Sequence, residues 1–272
     1  MKQGGLRTQG IKKYSLEKYP LVSIITVVYN GENSLEKTIK SVLGQTYLNI
    51  EYIIIDGGSS DGTISIIERY SDKIDFWKSE PDKGIADAFN KGITCSKGII
   101  VGIINADDWY ETDTVQFIVN NLRPYPAVYS GHMNLYDNNG ENLLKFHKSR
   151  PERLSQTMRV AHPSTFVHKT VYDKAGNYSL DYKSAMDYDF FLRVRAYPFE
   201  IVIIDKVLSN MRLGGISRDL PMVLKEELRV KNLRFGSKIQ HLTWYLASLT
   251  GYLIKNMIQF VNTKIKGDAK VD

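Results

Sequence analysis

The stretch IIVGIINADDW, residues 99–109, joins a strongly apolar run to two adjacent carboxylates, Asp107 and Asp108. The apolar run predicts a buried β-strand, and the two acids follow it at the carboxyl end of that strand. A buried acid is costly unless a positive partner meets it. The stretch therefore predicts a strand in the middle of a sheet, with a charged site at the edge of the sheet.

Strand-like and helix-like segments alternate around this stretch. The pattern predicts strands at 21–30, 50–56, 74–80 and 98–105, and helices at 34–45, 61–70 and 84–93. Such alternation indicates an α/β fold with a doubly wound, mainly parallel sheet. Four polar segments follow the four strands: YNGEN, DGGSSDGT, SEPDKG and NADDW. Because ligands bind at the carboxyl ends of such strands, we expect these segments to form one site.

The alternation is weaker in the second half of the chain. We predict helices at 114–122 and 187–196, and strands at 126–131, 142–146, 164–168 and 200–204. We expect this half to form a smaller subregion on the acceptor side of the site. The predicted organisation is a basic tail at 1–20, a catalytic domain at 21–216 divided after residue 110, and basic, amphipathic helices at 217–272.

The charge of the chain is uneven. The net charge is +6 over 272 residues, and the excess of lysine and arginine lies in the two end segments, 1–20 and 217–272. This pattern predicts that the two end segments bind an anionic partner. Charge alone would allow nucleic acid, but no patterned basic and aromatic surface supports nucleic-acid binding. Cys95 is the only cysteine, so no disulfide within the chain is possible, and no signal peptide is visible at the N-terminus.

Apolar residues recur every three or four positions between Ile239 and Val261, which predicts a helix with an apolar stripe. Its polar residues, such as Thr243 and Asn256, argue against a lone membrane span. Aromatic residues in the stripe and basic segments on both sides favour a helix that lies in the membrane interface. Packing of this helix on the catalytic domain is the alternative.

Adjacent carboxylates at a strand end suit a hard divalent cation such as Mg²⁺ or Mn²⁺, whose remaining ligands can be phosphate oxygens. The alternative for Asp107 and Asp108 is an ordinary turn, in which Asp108 caps the next helix. The apolar run before the pair and the three other polar segments favour the metal site.

Four motifs in order and spacing, IIIDGGSSDGT, SEPDKGIADAFNKGI, INADDWY and SAMDYDFFLR, closely resemble family 2 glycosyltransferases with the GT-A fold. The resemblance covers roughly residues 20–217 and is closest to bacterial enzymes for surface polysaccharides, of the colanic acid type. It implies an inverting transfer of a sugar from a nucleotide-diphosphate donor, dependent on a divalent metal.

The resemblance assigns several residues to the nucleotide sugar. These are Tyr29, Asp56, Asp82, Lys83, Asn90, Asn105, Asp107 and Arg212. The chain departs from the family at Gly57, where a second acid that contacts the base is common, and at Phe89, where many members have arginine. It departs again at Asn105, because the family motif is often Asp-x-Asp-Asp. Asp107 and Asp108 supply the charge for the metal.

An inverting transfer also needs a base for the acceptor hydroxyl, and a carboxylate suits this task. By resemblance the base is Asp187, at the start of a predicted helix. Asp189, two residues on, points in another direction and is assigned to the acceptor side, where it supports the first turn. His162 is also assigned to the acceptor. Arg212, before the glycines at 214 and 215, suits a loop that closes over the diphosphate.

These observations predict a glycosyltransferase that is cytoplasmic and peripheral to the inner face of the cell membrane. It would move a sugar from a UDP-sugar donor to a hydroxyl of a glycan or lipid-linked oligosaccharide. One alternative is a sugar-phosphate nucleotidyltransferase, although YNGENS lacks the cation that triphosphate chemistry favours. The other is an inactive, membrane-docked glycan-binding subunit. The presence of Asp107, Asp108 and Asp187 argues against this alternative.

Overall fold

The computed structural model describes residues 1–214, 219–236 and 238–268, with side chains described as far as residue 254. The described chain has ten strands: β1 (Lys2–Gly4), β2 (Val22–Val28), β3 (Ile50–Asp56), β4 (Phe76–Ser79), β5 (Ile100–Asn105), β6 (Trp109–Tyr110), β7 (Val128–Tyr136), β8 (Leu143–His147), β9 (Thr165–His168) and β10 (Ile201–Arg212). Its α-helices are α1 (Leu35–Leu43), α2 (Thr63–Arg69), α3 (Ile85–Cys95), α4 (Thr114–Asn120), α5 (Lys169–Ala175), α6 (Met186–Val194), α7 (Leu220–Phe235) and α8 (Ile239–Asp268).

The first half of the sheet is the parallel arrangement that the sequence predicts. Strands β4, β3, β2 and β5 lie side by side in this order, and all three pairings are parallel. Every residue of β2 and β3 is buried, which explains why these strands are continuous apolar runs. The strand order reverses between β2 and β5. In a doubly wound sheet the crevice at such a reversal is the usual place for a ligand.

The second half of the sheet is mixed, so the prediction of a mainly parallel sheet holds for the first half only. Strand β9 is antiparallel to both β5 and β7, β8 is antiparallel to β7, and β6 is antiparallel to β10. Only β7 and β10 are parallel in this half of the described sheet. The short turn between β7 and β8 leaves no room for the crossover that a parallel pair requires.

The first twenty residues are built into the fold. Strand β1 pairs with the edge of β4, and Arg7 forms an ion pair with the buried carboxylate of Glu51. Lys13 forms a second ion pair, at 2.9 Å, with the buried Asp75. Two of the basic residues that the sequence analysis assigned to an anion-binding tail therefore neutralise acids within the domain.

The chain divides into two compact units, Met1–Gly214 and Gly215–Asp272. In the second unit, α7 and α8 pack together, and the Lys231 amine lies 2.9 Å from the centre of the Trp244 ring. Several apolar side chains of α8 are exposed: Ile239, Leu242, Leu246, Leu253 and Ile254. The rest of the predicted stripe lies outside the described side chains. Across the described residues, none of the helices combines the length and the apolar character that crossing a bilayer requires.

Candidate active site

The acidic pair lies in the turn between β5 and β6. Asp108 is buried, and its Oδ1 atom accepts a hydrogen bond of 3.0 Å from the backbone N–H of Arg212. Its Oδ2 atom accepts from the Asn105 side-chain amide at 3.3 Å. The hydroxyl of Thr38 on α1 donates to the backbone carbonyl of Asp108 at 2.7 Å. The pair is thus held between the end of β5, the end of β10 and the first turn of α1.

The two carboxylates carry more negative charge than their surroundings compensate. Burial raises the pKa of the Asp108 carboxyl well above its ordinary value, and the neighbouring Asp107 raises it further. Burial also raises the pKa of Asp107, while the nearby Arg212 guanidinium acts in the opposite direction. The raised pKa values mean that Arg212 offsets only part of the cost of burying the ionised pair.

The residues present fit a divalent cation only as part of a larger ligand set. The Asn105 Oδ1 atom is buried and has no hydrogen-bond partner among the residues that the structure describes, which leaves an oxygen free beside Asp107 and Asp108. Within the described residues, no group of three or more histidine, cysteine, aspartate or glutamate side chains could hold a metal ion. Two carboxylates and one amide oxygen would have to be completed by water or by phosphate oxygens, as is usual for Mg²⁺.

Two cations face this acidic loop. The Arg212 guanidinium is close enough to Asp107 to influence its pKa. The Lys37 amine on α1 lies 3.1 Å from the centre of the Trp109 ring. Trp109 follows the acidic pair in the sequence. Burial lowers the pKa of Lys37, and repulsion from Arg212 lowers it further. An anion bound near these two like charges would offset their repulsion.

Lys37 is a residue that the sequence analysis missed. In the sequence it is one of several charged residues in an amphipathic helix, and such lysines usually face solvent. A signal was present, because Lys37 lies in the first turn of the helix that follows β2, close to the crevice where the strand order reverses. The contact with Trp109 requires the three-dimensional structure.

The structure brings the four predicted polar segments together. The loop after β2 binds the loop after β3, since Ser60 N–H donates to Asn30 Oδ1 at 2.9 Å and Gly31 N–H donates to Thr63 Oγ1 at 2.8 Å. The loop after β4 joins through Glu80 N–H, which donates to the carbonyl of Asp56 at 3.1 Å. A Cβ atom at Gly31 would lie 3.6 Å from Ala106 in the acidic loop.

Asp56, predicted to bind the nucleoside, organises its own loop. It is buried, and its Oδ2 atom accepts from the N–H groups of Gly58 and Ser59, both at 3.0 Å, and from Ser79 Oγ at 2.7 Å. Its Oδ1 atom accepts from Ser59 Oγ. A contact between Asp56 and a nucleoside would require these bonds to rearrange.

Asp82 lies in the loop between β4 and α3, next to the loop that Asp56 organises. Its Oδ1 atom accepts from Gly84 N–H at 2.8 Å. Its Oδ2 atom packs against Gly57, where an added Cβ atom would be only 2.5 Å away. The Tyr29 ring borders the same space and is 67% exposed. Lys83 is exposed, and its backbone N–H donates to Asp87 at 3.0 Å.

Asn90, also predicted for the donor site, is engaged elsewhere. Its amide nitrogen donates to the Tyr178 carbonyl at 2.8 Å, and its amide oxygen accepts from Tyr178 N–H at 2.9 Å. The amide therefore fastens α3 to the loop before α6. A contact between Asn90 and a donor would compete with this pair of bonds.

His162, predicted to lie near the acceptor, belongs to an aromatic cluster. Its ring stacks on Phe89 with centroids 5.2 Å apart, and its Nε2 atom is 3.0 Å from the Tyr178 hydroxyl. Burial lowers the pKa of His162 to about 4. The ring is therefore neutral near pH 7 and carries no positive charge toward an acceptor.

The two acids of α6 differ in their surroundings. Asp187 is partly exposed in the first turn. Burial raises the pKa of Tyr178, and Tyr172 and the charge of Asp187 raise it further. Asp189 is buried in an ion pair of 2.9 Å with Arg193, which donates in turn to the carbonyl of Asn177. The predicted supporting role of Asp189 agrees with this contact, whereas direct contact with an acceptor would require the ion pair to break.

The fold places an acidic loop at the carboxyl edge of a doubly wound sheet, where enzymes of this architecture bind their ligands. The model of glycosyl transferase family 2 matches residues 23–200 of this chain. An uncharacterized glycosyltransferase of Mycobacterium tuberculosis is 32% identical over 72% of this chain and 77% of its own length. The chain therefore belongs to glycosyl transferase family 2, and it is a glycosyltransferase.

Solved structures share the fold. Residues 1–349 of TarS of S. aureus, in complex with UDP-GlcNAc, superpose with a TM-score of 0.60 at 17% identity, over 83% of this chain and 70% of that fragment. The mannosyltransferase PcManGT from Pyrobaculum calidifontis, in complex with GDP-Man and Mn²⁺, gives 0.60 at 16% identity, over 86% of this chain and 75% of its own. These similarities identify the GT-A fold.

Proposed function

We propose that the protein transfers a sugar, with inversion, from a nucleoside-diphosphate sugar to a hydroxyl of a glycan or lipid-linked oligosaccharide in surface polysaccharide synthesis. One observation carries this proposal. The buried Asp108 and the half-buried Asp107 form an acidic pair with raised pKa values, Arg212 lies near Asp107, and Lys37 lies over the next residue, Trp109. The acids of this site suit a divalent cation, and its two basic residues suit a diphosphate.

Asp107, Asp108 and the free Oδ1 atom of Asn105 would hold Mg²⁺ or Mn²⁺. When bound, this ion neutralises the diphosphate as it leaves. The protein contributes a rigid carboxylate, because Asp108 is fixed by the backbone of Arg212 and by Asn105. The ordered carboxylate lowers the entropic cost of assembling the site.

Arg212 and Lys37 would bind the diphosphate. Arg212 is the last residue of β10, so its backbone position is set by the pairing with β7. Lys37 is held over Trp109 by a cation–π contact. Among the described residues neither side chain forms an ion pair with a carboxylate, so both charges are available to an anion.

Asp187 removes the proton from the acceptor hydroxyl on the side of the sugar opposite the diphosphate. Its position in the first turn of α6 leaves part of the side chain open to solvent, as an acceptor-binding base requires. The buried ion pair between Asp189 and Arg193 fixes this turn to the loop before α6. Asp187 is therefore supported by a rigid neighbour.

The relatives support a polysaccharide product and a uridine nucleotide. The chain is 29% identical to a chondroitin synthase of Escherichia coli, over 77% of this chain and 31% of that protein. TarS binds UDP-GlcNAc, whereas PcManGT binds GDP-Man. We propose a UDP-sugar as donor. The base contact proposed below suits uracil and guanine and excludes cytosine.

The location that we propose is the cytoplasmic face of the membrane. The exposed apolar residues of α8, such as Leu242 and Leu246, can enter the headgroup region while the helix lies along the surface. Basic residues at both ends of this segment in the sequence favour anionic lipid. A catalytic domain over residues 21–216, with an acceptor side after residue 110, is part of the same proposal.

The test is a thermal-shift screen of UDP-, GDP-, CDP- and TDP-sugars, each with and without Mn²⁺. A nucleotide sugar that stabilises the protein only with the metal supports the proposal. Product analysis with that donor then identifies the reaction. Release of a nucleoside diphosphate with an acceptor supports glycosyl transfer, whereas pyrophosphate would indicate a nucleotidyltransferase. No metal-dependent stabilisation by any donor would refute the proposed function.

A further inference from the structure

The Asp82 carboxylate lies against Gly57, in space that is open because glycine has no side chain. A Cβ atom at Gly57 would lie 2.5 Å from Asp82 Oδ2 and 3.4 Å from Tyr29 Cδ2. A distance of 2.5 Å is too short for a carbon and an oxygen that are not bonded. The position of the Asp82 carboxylate therefore depends on glycine at position 57.

The two oxygens of Asp82 have different surroundings. Oδ1 accepts from Gly84 N–H and fixes the turn before α3. Oδ2 receives no hydrogen bond from any of the residues that the structure describes, and Asp82 is only partly buried. The hydrogen bond to Oδ1 thus holds the carboxylate in place, and Oδ2 can accept a hydrogen bond from a ligand.

Asp56 cannot supply this acceptor without rearrangement. It is buried, and both of its oxygens accept hydrogen bonds from its own loop or from Ser79. Of the two acids at this corner, Asp82 is the one with an uncommitted oxygen. The exposed Tyr29 ring beside it offers a flat surface on which a base can stack.

We propose that Asp82 is the residue that recognises the nucleobase, by accepting a hydrogen bond from a ring N–H, and that Gly57 keeps the space for its carboxylate. This inference rests on the proposed function, because it assumes a nucleotide donor. The ligand class is a base with a ring N–H on its pairing edge, which uracil and guanine have and cytosine lacks. The stacking partner is Tyr29.

The decisive experiment removes first the donor on the nucleobase and then the acceptor on Asp82. Calorimetry in Mn²⁺ compares UDP with 3-methyluridine diphosphate, and GDP with 1-methylguanosine diphosphate, because the methyl group replaces the ring N–H. For the wild-type protein we expect methylation of the preferred nucleotide to weaken binding about 10- to 100-fold. For Asp82→Ala we expect weaker binding of the parent nucleotide and nearly equal binding of the methylated one.

Gly57→Ala provides a second, milder variant. The backbone at position 57 does not have a positive φ angle, so alanine is tolerated there, but its methyl group displaces the Asp82 carboxylate. We expect this variant also to lose most of the preference for the unmethylated base. Asp219→Ala serves as the matched control, because Asp219 caps α7 by accepting from Met222 N–H, and it should keep the full preference.

The outcomes separate this inference from the proposed function. If the wild-type protein binds UDP or GDP in the presence of Mn²⁺ but methylation has no effect, the base contact is refuted and the function stands. The same holds if Asp82→Ala retains the wild-type preference. If neither nucleotide binds with Mn²⁺, the proposed function itself fails, and this inference fails with it.

Discussion

The backbone N–H of Arg212 donates to the Asp108 carboxylate at 3.0 Å, across 104 residues of sequence. This hydrogen bond joins the last residue of β10 to the acidic loop after β5. It also positions the Arg212 side chain near the acids. A change at Asp108 can therefore act through its charge or through the geometry of β10, and the choice of substitution must separate the two effects.

Asp108→Asn tests the charge alone. The new amide can keep an oxygen toward Arg212 N–H, and Asn105 can turn its free oxygen toward the new NH₂ group. We expect Mn²⁺-dependent nucleotide binding to fall by roughly 100-fold, because loss of a metal ligand costs at least as much as an outer-shell change. Calorimetry with and without the metal measures this loss.

The same substitution should raise the thermal stability of the unliganded protein. Burial raises the pKa of Asp108 and repulsion from Asp107 raises it further, so replacing this buried carboxylate by a neutral amide removes both costs. Differential scanning calorimetry without metal provides the measurement. Unchanged nucleotide affinity together with unchanged stability would mean that Asp108 neither binds the metal nor carries an uncompensated charge.

Asp187→Asn should abolish transfer and leave donor binding intact. The amide retains the size of the side chain but cannot accept the acceptor's proton. We expect kcat to fall by about 10²- to 10⁴-fold, the usual contribution of a general base. Donor affinity should change by less than about twofold, since a general base acts on the transition state.

Asp181→Asn is the control for this experiment, because Asp181 is an exposed acid of the preceding loop. Its kcat should match that of the wild-type enzyme. Transfer by Asp187→Asn at near wild-type rate would exclude Asp187 as the base.

Lys37→Met should weaken binding of the diphosphate. Methionine can still pack on the Trp109 ring, but it provides no charge for the phosphates. We expect the dissociation constant of the nucleoside diphosphate to rise roughly tenfold, which corresponds to the loss of one charge-assisted hydrogen bond.

Lys40→Met gives a matched comparison one turn along the same helix. Lys40 pairs with Glu36 at 3.1 Å on an exposed surface, and its loss should leave donor affinity unchanged. Equal effects of the two substitutions would show that Lys37 acts only through the net charge of the domain.

His162 predicts a specific loss of stability in acid. Burial lowers its pKa to about 4, from 6.5 in the unfolded chain. The unfolded state therefore binds the proton more tightly, and the contribution of neutral His162 to stability is complete above pH 6.5. It decreases as pH falls toward 4, by up to about 1.4 kcal/mol per pH unit.

The comparison of wild type with His162→Phe isolates this effect. Phenylalanine keeps the stacking on Phe89 but does not titrate. We expect the cost of the substitution, measured by urea unfolding, to be smaller at pH 5 than at pH 7 by about 1 to 2 kcal/mol. A cost that is the same at both pH values would show that His162 is accessible to protons in the folded state.

Arg7→Met should destabilise the domain strongly. Only 13% of the Arg7 side chain and 2% of the Glu51 side chain are exposed, so the substitution leaves a buried carboxylate without its cation. We expect a loss of about 3 kcal/mol in the free energy of unfolding. Lys2→Met breaks the exposed pair with Glu68, 3.1 Å in length, and should cost less than about 1 kcal/mol.

Much of the donor half of the fold follows from the sequence. Strands β2, β3 and β5 are buried on both sheet faces, so continuous apolar runs identify them. Strand β10 is longer than predicted, from Ile201 to Arg212, because its inward and outward residues alternate with irregular register and it contains Asp205 and Lys206. Such a strand has no clear apolar run.

The candidate site is only partly accessible to sequence analysis. The sequence identifies the loops that meet, but it cannot show which polar atoms are already satisfied within the protein. Asp56, Asn90 and Asp189 are examples, since each makes hydrogen bonds or an ion pair within the fold. Lys37 shows the opposite case, in which an ordinary helical lysine lies beside the acidic loop.

The short strands at the ends of the sheet bear on how the protein behaves at high concentration. Strand β1 has three residues and β6 has two, so each presents few free backbone groups to another molecule. Among the described strands, β8 pairs with β7 alone, and it exposes Leu143, Leu144 and Phe146. An exposed apolar edge of this kind invites intermolecular β-pairing. We therefore expect β8 to be the segment at which self-association of the folded protein begins.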